Sequence, residues 1–536
     1  MVKKIISGFS IKNKIKLFLM IILTAAGGIL SILPIKCMEE MADLAVTQSS
    51  DNIGTVVILG LAYMALEIIS NYSRYYGEYL VNFFQYQITS LMQIQLYEKL
   101  MRIDFQELKT HDSTELANVI IEDTVFLSGN LLKPFTDLLL LVITFICGLY
   151  YMIRISWVLT LMVIPLGVIT SISARIIQSR AMSNIELKRN ASAKLWKTFS
   201  EGLRGVIPLR ICHAQKRYGE VVKNDSDRLK MSNIKQSGLE KLNSAVASTL
   251  FMLTIGMILL ASCLLVIYGR ITIGGMTAVL MYNHMLVDPL VNLIDVQQTF
   301  IKRRVSLKRI SEVMDIKEQC AQPCVKIDSL TTDKISCQIG DVTVLKDASI
   351  TLSKGQNVAI VGPTGCGKST FANILAGLML PTGGRIIYSN GGTLMHGVPN
   401  MGYLYQDGYL FDTDIKQNIL IANPNLSDED YEEIIGQCCL SELVSEHKDS
   451  IGENGAKLSG GERKRVRIAR VLANKNADIY VFDELSTSLD DETARKIASN
   501  VLGALNDKIC VFIEHNMDIA ALMDKTVVIK DGKTMY

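Results

Sequence analysis

The sequence predicts a multi-domain chain in which an all-α transmembrane domain of six helices is followed by an α/β domain. Two observations carry this expectation. Apolar segments of about 20 residues, enough to cross a bilayer at ~1.5 Å per residue, crowd roughly the first three hundred positions. From about Ser329 onward, short apolar runs alternate with helical patterns, which marks an α/β domain. A chain of 536 residues has room for both.

Composition agrees. A hydrophobic fraction of 49% with only 20% charged residues is high for a soluble chain of this length, and a net charge of +2 argues against a basic nucleic-acid binder. Eleven cysteines lie singly or as Cys438-Cys439. Cys320 and Cys324 have no second pair of ligands nearby, so reduced thiols are expected rather than zinc. The first apolar segment has no small-residue cleavage site after it and does not read as a removable signal.

The six expected spans are Ile15–Ile35, Ile53–Leu80, Leu131–Ile153, Ile155–Gln178, Ala245–Gly269 and Ile273–Ile294. The run from Leu138 to Tyr151 is apolar on every face, as a helix in lipid is. Lys3, Lys4, Lys12, Lys14 and Lys16 before the first span predict a cytoplasmic N-terminus. The loop from Lys36 to Asn52 holds one Lys against Glu39, Glu40, Asp43 and Asp51, and is expected outside. The segment Arg175 to Leu242 is rich in Lys and Arg and is expected inside, as is Lys302-Arg303-Arg304. The stretches 82–129 and 179–244 mix charge and apolar residues at helical spacing, so the membrane helices are expected to continue into the cytoplasm. Glu67, Asp137 and Asp288 are ionisable residues within spans and candidates for contact with a cargo.

The second half carries the chemistry. Val358 to Val361 reads as a buried strand, followed by Gly362, Pro363, Thr364, Gly365, Cys366, Gly367, Lys368, Ser369 and Thr370, then a helical pattern. This is G-x-x-x-x-G-K-S in the context that a phosphate-binding loop requires. Glycines let backbone N–H groups converge on phosphate oxygens, and the helix N-terminus adds partial positive charge. Lys368 is expected on the β- and γ-phosphates and the Ser369 hydroxyl on Mg²⁺. A second buried strand, Asp478 to Glu484, ends in two carboxylates, Asp483 and Glu484. Asp483 suits a water-mediated Mg²⁺ contact and Glu484 suits a general base for the attacking water. Between these two motifs, Leu458, Ser459, Gly460, Gly461 and Glu462 precede another helix and form a second anion-binding N-terminus. One γ-phosphate hardly needs two cradles, so the second is expected to serve a nucleotide held by another copy.

In these motifs, and across nearly its whole length, the chain resembles ATP-binding cassette half-transporters of the exporter type, with the type IV fold. The resemblance implies a transmembrane domain at 1–315, a linker at 316–328 and a nucleotide-binding domain at 329–536. It implies that ATP and Mg²⁺ are bound by Gly362–Thr370 and Asp483, with Lys368, Glu484 and His515 catalytic. Gln406 resembles the Q-loop residue that contacts Mg²⁺ and the membrane domain. Leu458–Glu462 resembles the signature that completes the partner's site, Ser488, Leu489 and Asp490 the D-loop, and Phe512 to His515 the switch that senses the γ-phosphate. Ile451 to Gly455 resembles the exporter-specific loop, Leu96–Ile103 with Phe105–Thr114 and Phe199–Gly205 with Ile211–Gln215 resemble the two coupling regions, and Ser306–Asp315 resembles the helix entering the ATPase domain.

The implied partners are a second half-transporter, identical or different, membrane lipid and a cargo of unknown identity, with no nucleic acid. The implied location is the cytoplasmic membrane, multi-pass, with the ATPase domain in the cytoplasm. The implied activity is ATP-driven export of an amphipathic small molecule, peptide or lipid; siderophore-type import and a weakly hydrolysing ATP-gated regulator are the alternatives. No peptidase is expected ahead of the first span, so leader trimming is not. Three departures stand out. The aromatic residue that usually stacks on adenine is replaced by Gln338 or Ile339, Glu462 stands where the signature usually has Gln, and the segment from Leu440 to Ile451 is short. Cys366 is read as a tolerated small residue rather than a redox switch.

Overall fold

The computed structural model describes residues 10–46, 52–318, 324–406 and 408–535. Lys3, Lys4, Asp51 and Cys320 lie outside them. The chain forms two compact units, one from residues up to Leu100 together with Ser113–Asp315, the other from Met101–Asp112 together with Ile316 onward.

The first unit is helical: α1 Ile11–Leu30, α2 Leu33–Val46, α3 Ile53–Leu100, α4 Phe105–Thr110 (which belongs to the second unit), α5 Ser113–Asn118, α6 Thr124–Ile155, α7 Trp157–Arg204, α8 Val206–Ile211, α9 Gln215–Ile267 and α10 Ile273–Asp315. Among the described residues four stretches are long and apolar enough to cross a membrane: Ile11–Val46, Ile53–Leu100, Glu115–Ile155 and Gln215–Ile267. Trp157–Ile169 is a shorter apolar helix. The fourth and sixth expected spans fall in α7 and α10, where the side chains of residues 177–183 and 290–298 lie outside those described.

The structure breaks the first expected span. The Ser31 N–H closes α1 on the Gly27 carbonyl at 3.1 Å, and α2 begins two residues later. Pro34 has no N–H to continue the ladder but fits the first turn of a new helix. Helix α6 bends at Asn130, whose φ of −101° and ψ of 16° are not helical; Pro134 four residues on has no N–H for the Asn130 carbonyl.

Close packing between these helices uses small and hydroxyl residues. Ser70 donates to the Gly27 carbonyl at 3.0 Å and Ser73 to that of Leu23 at 3.0 Å. At Gly27 a Cβ would meet Arg74 Cγ at 2.6 Å, so glycine permits the approach of α1 to α3. Further along, α7 and α9 are tied by Asp225, which accepts from Thr198 Oγ1 at 2.9 Å and pairs with Lys194 at 3.1 Å. Asp123 ties the turn before α6 to α10, accepting from Ser306 Oγ at 2.7 Å and Arg309 at 3.2 Å.

The second unit holds β1 Cys324–Val325, β2 Ser329–Ile339, β3 Val342–Ser353, β4 Asn357–Val361, α11 Lys368–Leu375, β5 Gly383–Asn390, β6 Thr393–Met395, β7 Val398–Pro399 and β8 Met401–Leu404. It continues with α12 Ile415–Leu420, α13 Asp428–Gln437, α14 Ser441–Glu446, α15 Gly460–Ala473, β9 Ile479–Asp483, α16 Asp491–Ala504, β10 Ile509–Ile513, α17 Met517–Ala520, β11 Lys525–Lys530 and β12 Lys533–Met535. A six-stranded sheet runs β12-β11-β4-β10-β9-β8, all parallel except β12; a four-stranded antiparallel sheet runs β3-β2-β5-β6.

Alternation along the central strands explains the layering. Ala359, Tyr480, Phe482 and Phe512 face a core closed by α13, α15 and α16, while Val358, Ile360, Val481 and Val511 face a core closed by β2, β3 and Phe371 of α11. Both faces are buried, so these strands read as continuous apolar runs. The stretch between α10 and β2 is structured where described: β1 pairs with β7, and the Ile327 N–H donates to Asp478 Oδ2 at 3.2 Å. Helix α4, capped by Asp104, sets the Phe105 ring edge-on to Tyr405 at 6.1 Å.

Candidate nucleotide site

Strand order assembles the site. β4, β10 and β9 are parallel neighbours, so their carboxyl ends lie side by side. The residues that follow them, Gly362, Glu514 and Glu484, therefore start at one edge of the sheet, and β8 beside β9 delivers Gln406 to the same edge. Ligands of open α/β sheets bind at such an edge.

The loop after β4 needs its glycines for conformation. Gly365 and Gly367 have φ of +82° and +103°, and a Cβ at Gly367 would meet Leu345 Cδ2 at 2.9 Å and the Val344 carbonyl at 3.0 Å. Lys368 is buried, and its ammonium donates to the carbonyls of Gly362 at 2.8 Å and Pro363 at 3.0 Å. The lysine thus stands inside the curl of the loop, with helix α11 starting directly behind it.

Asp483 is 1% exposed, and among the described residues no hydrogen bond of normal geometry reaches either carboxylate oxygen, although the Ser369 hydroxyl lies near enough to act on it. Burial pushes its carboxyl above the usual range; Ser369, and more weakly Lys464 and Lys368, pull it back. A buried, unsatisfied carboxylate is costly unless a cation neutralises it. With the Ser369 hydroxyl and the Gln406 amide oxygen, the donors are hard oxygens that suit Mg²⁺. The residues fit the ion.

Glu484 sits at φ +55°, a strained conformation for a residue with a Cβ, held by its N–H donating to the Ile513 carbonyl at 2.9 Å. Its Oε2 accepts from Gln406 Nε2 at 3.3 Å and from Thr487 Oγ1 at 3.2 Å, and its Oε1 lies 3.7 Å from His515 Nε2. The structure thus brings Gln406, Glu484 and His515 together beside Asp483.

The signature lies against the D-loop. A Cβ at Gly461 would meet the Ser488 carbonyl at 2.9 Å, and Ser488 itself has φ +70°. Ser459 caps α15: its hydroxyl accepts from the Glu462 N–H at 3.3 Å while Glu462 Oε2 accepts from the Ser459 N–H at 2.7 Å. Glu462 therefore closes a capping box, and that backbone N–H holds its carboxyl below the usual range. Among the described residues the hydrogen bonds of Ser459 and Glu462 stay within this segment and the first turn of α15. Asp490 caps α16 through the Thr493 N–H at 2.9 Å. The hairpin tip that lacks an aromatic exposes Ile339 and Val342 instead.

Three residues escape a sequence reading. Thr487 touches the Glu484 carboxylate, and Lys464 and Glu514 are buried beneath the strand ends. Lys464 left a signal: it falls on the i, i+4, i+8 stripe with Ile468 and Leu472, inside a run that otherwise looks like a solvated basic face. Thr487 left none, and Glu514 falls inside the Phe512–His515 stretch without a signal of its own.

Comparisons with known proteins agree with this geometry. A model of the ABC transporter family matches residues 345–487, and a model of the ABC transporter transmembrane region matches 17–290. The chain is 24% identical over 487 residues to an ATP-dependent lipid A-core flippase of Cupriavidus pinatubonensis, covering 87% of this chain and 82% of that one. It is 25% identical over 505 residues to a lactococcin transport/processing ATP-binding protein of Lactococcus lactis, covering 90% and 69%. The structure of a bacterial Atm1-family ABC exporter with ATP bound superposes with a TM-score of 0.81 at 20% identity, covering 98% of this chain and 94% of that one, which speaks to the fold.

Proposed function

The chain belongs to the ABC transporter family, as a half-transporter of exporter type with its own ATPase domain, and from that premise we propose how its residues drive transport. Two chains, identical or not, hold two ATP molecules head to tail, each between Gly362–Thr370 of one chain and Ser459–Glu462 of the other. Residues 1–315 form the membrane domain and 329–536 the cassette, with the cassette and N-terminus in the cytoplasm. Lys368 binds the β- and γ-phosphates. Ser369, Gln406 and Asp483 would hold Mg²⁺, which when bound would supply positive charge against the nucleotide's phosphates. Glu484 takes a proton from the attacking water, and His515 and Ser459 of the facing chain stabilise charge on the γ-phosphate.

The single observation that carries this reading is the convergence of Gln406 and His515 on Glu484, beside a buried Asp483 whose oxygens no hydrogen bond of normal geometry reaches among the described residues. Tyr405, next to Gln406, meets Phe105, so a shift of Gln406 on ATP binding has a route to residues 101–112 and, along the chain, to the helices they join. Export of an amphipathic cargo is the direction we favour, supported by the exporter-type fold and by relatives named as a lipid A-core flippase and a lactococcin transport protein.

Glu484→Gln in the purified chain tests the site. ATP binding is expected to persist while hydrolysis falls by about two to three orders of magnitude, the loss typical of one transition-state group. Unchanged hydrolysis overturns the assignment. Uptake of labelled lipid A or peptide into inverted vesicles, dependent on ATP, tests direction and cargo class.

A further inference from the structure

Beneath Asp483 and Glu484 lie two buried charges that hydrolysis, as set out above, does not use. Lys464 is 6% exposed and Glu514 is 1% exposed. Lys464 belongs to α15, the helix whose first turn presents Ser459, and its ammonium donates to the main-chain carbonyl of Asp483 at 3.3 Å. Glu514 follows β10 and precedes His515. Its Oε1 accepts from the Ser486 N–H at 3.1 Å and its Oε2 from the Ser486 hydroxyl at 2.7 Å. Ser486 stands between Glu484 and the D-loop at Ser488–Asp490. Burial pushes the Lys464 ammonium below its usual range and the carboxylates around it, Glu514 first, pull it back, while burial pushes the Glu514 carboxyl up.

We propose that Lys464 is a positioning residue for hydrolysis, tying the helix that carries Ser459 to the strand end that carries Asp483 and Glu484, with Glu514 as its balancing charge. The inference rests on the shared-site reading above. In a dimer, Ser459 serves the nucleotide on the facing chain, whereas Asp483 and Glu484 serve this chain's own nucleotide. A movement of α15 when Ser459 meets the facing γ-phosphate is carried by the Lys464 ammonium to the peptide between Asp483 and Glu484. The same movement is felt at Ser486 and the D-loop through Glu514. Each composite site thereby senses whether the other is filled.

A buried charge left without its partner costs more than a pair removed together, and this gives the test. In the full chain in lipid vesicles, Lys464→Met is expected to lower kcat for ATP at least tenfold with KM within threefold of the unsubstituted protein. Glu514→Gln alone is expected to lower kcat at least fivefold, and Lys464→Gln added to it, keeping a donor without the charge, is expected to return kcat to within threefold. Loss of packing alone would not be repaired by a second substitution. The inference is overturned if Lys464→Met keeps kcat within threefold, or if Glu514→Gln/Lys464→Gln is no more active than Glu514→Gln alone. Should Lys464→Met not fold, the pair Glu514→Gln and Glu514→Gln/Lys464→Gln decides by the same recovery. A chain that hydrolyses no ATP overturns the site reading itself and this inference with it; an active chain whose variants show no recovery overturns only the inference.

Discussion

The two units sort their residues by opposite rules. In the ATPase unit the large apolar side chains are inside: Phe482 and Phe512 stack at 4.8 Å within a core that water does not reach. In the helical unit many of the large apolar side chains face out, with Leu260 68% exposed and Leu61 59% exposed, while Ser70, Thr124, Ser128, Thr254 and Ser262 are buried. Some of those buried hydroxyls bond across helices, as Ser70 does to the Gly27 carbonyl and Ser128 to the Thr89 hydroxyl, while Thr254 and Ser262 bond back to carbonyls one turn earlier in their own helix. The difference teaches which solvent each unit folds against. Water drives Phe482 inward, whereas lipid is as apolar as Leu260 and leaves small residues and hydrogen bonds to hold helices together.

That contrast can be broken at several points. Phe482→Ala is expected to destabilise by about 3–5 kcal/mol, the cost of a large buried cavity, whereas Leu260→Ala leaves stability within about 0.5 kcal/mol. Thermal melts of the detergent-solubilised chain compare the two; equal losses would show that the membrane unit also relies on a hydrophobic core. Gly27→Leu is expected next, costing about 1–3 kcal/mol by forcing α1 from α3. The added atoms have Arg74 Cγ only 2.6 Å from the first of them, and a crosslink between engineered cysteines on the two helices would report the separation. Ser70→Ala, which removes one interhelical hydrogen bond, is expected to cost only about 0.6 kcal/mol.

The smallest effect concerns pH. Lys194 first and Thr198 second hold the Asp225 carboxyl below its usual range. A carboxyl lowered by folding stabilises the fold above its unfolded value of about 3.9, and that contribution is lost as pH falls through the folded value. Protection of residues 194–228 against hydrogen exchange should therefore be flat from neutrality to about pH 5 and decline only below about pH 4. Asp225→Asn should lower the plateau and remove the decline; an unchanged profile would show that Asp225 is not what joins α7 to α9.

Much of the site can be read from the sequence because its parts are local. A glycine-rich turn with Lys368 and Ser369 between a strand and a helix is defined within a few residues, and so is a strand that ends in Asp483-Glu484. The spacing of Ser459 and Glu462 allows a capping box, and only its hydrogen bonds show what Glu462 does where the signature usually has Gln. The division of the first span at Ser31 was also present in the sequence, as Pro34. Hydropathy averages over such a break and passes across it.

By itself, then, the sequence determined the phosphate-binding loop, the paired carboxylates, the alternation of strands and helices, and the long apolar segments. These follow from periodicity, glycine geometry and segment length, all of which act over a few turns of chain. Only the tertiary structure decided that Thr487 touches Glu484, that among the described residues no hydrogen bond of normal geometry reaches the Asp483 oxygens, and that Lys464 and Glu514 lie buried beneath them. The reason is strand order. β4 and β10 are neighbours in the sheet although about 150 residues of chain separate them (Asn357–Val361 against Ile509–Ile513), and Ile479–Asp483 pairs with the other side of β10; a charge's burial and partners depend on what crosses over it rather than on what precedes it.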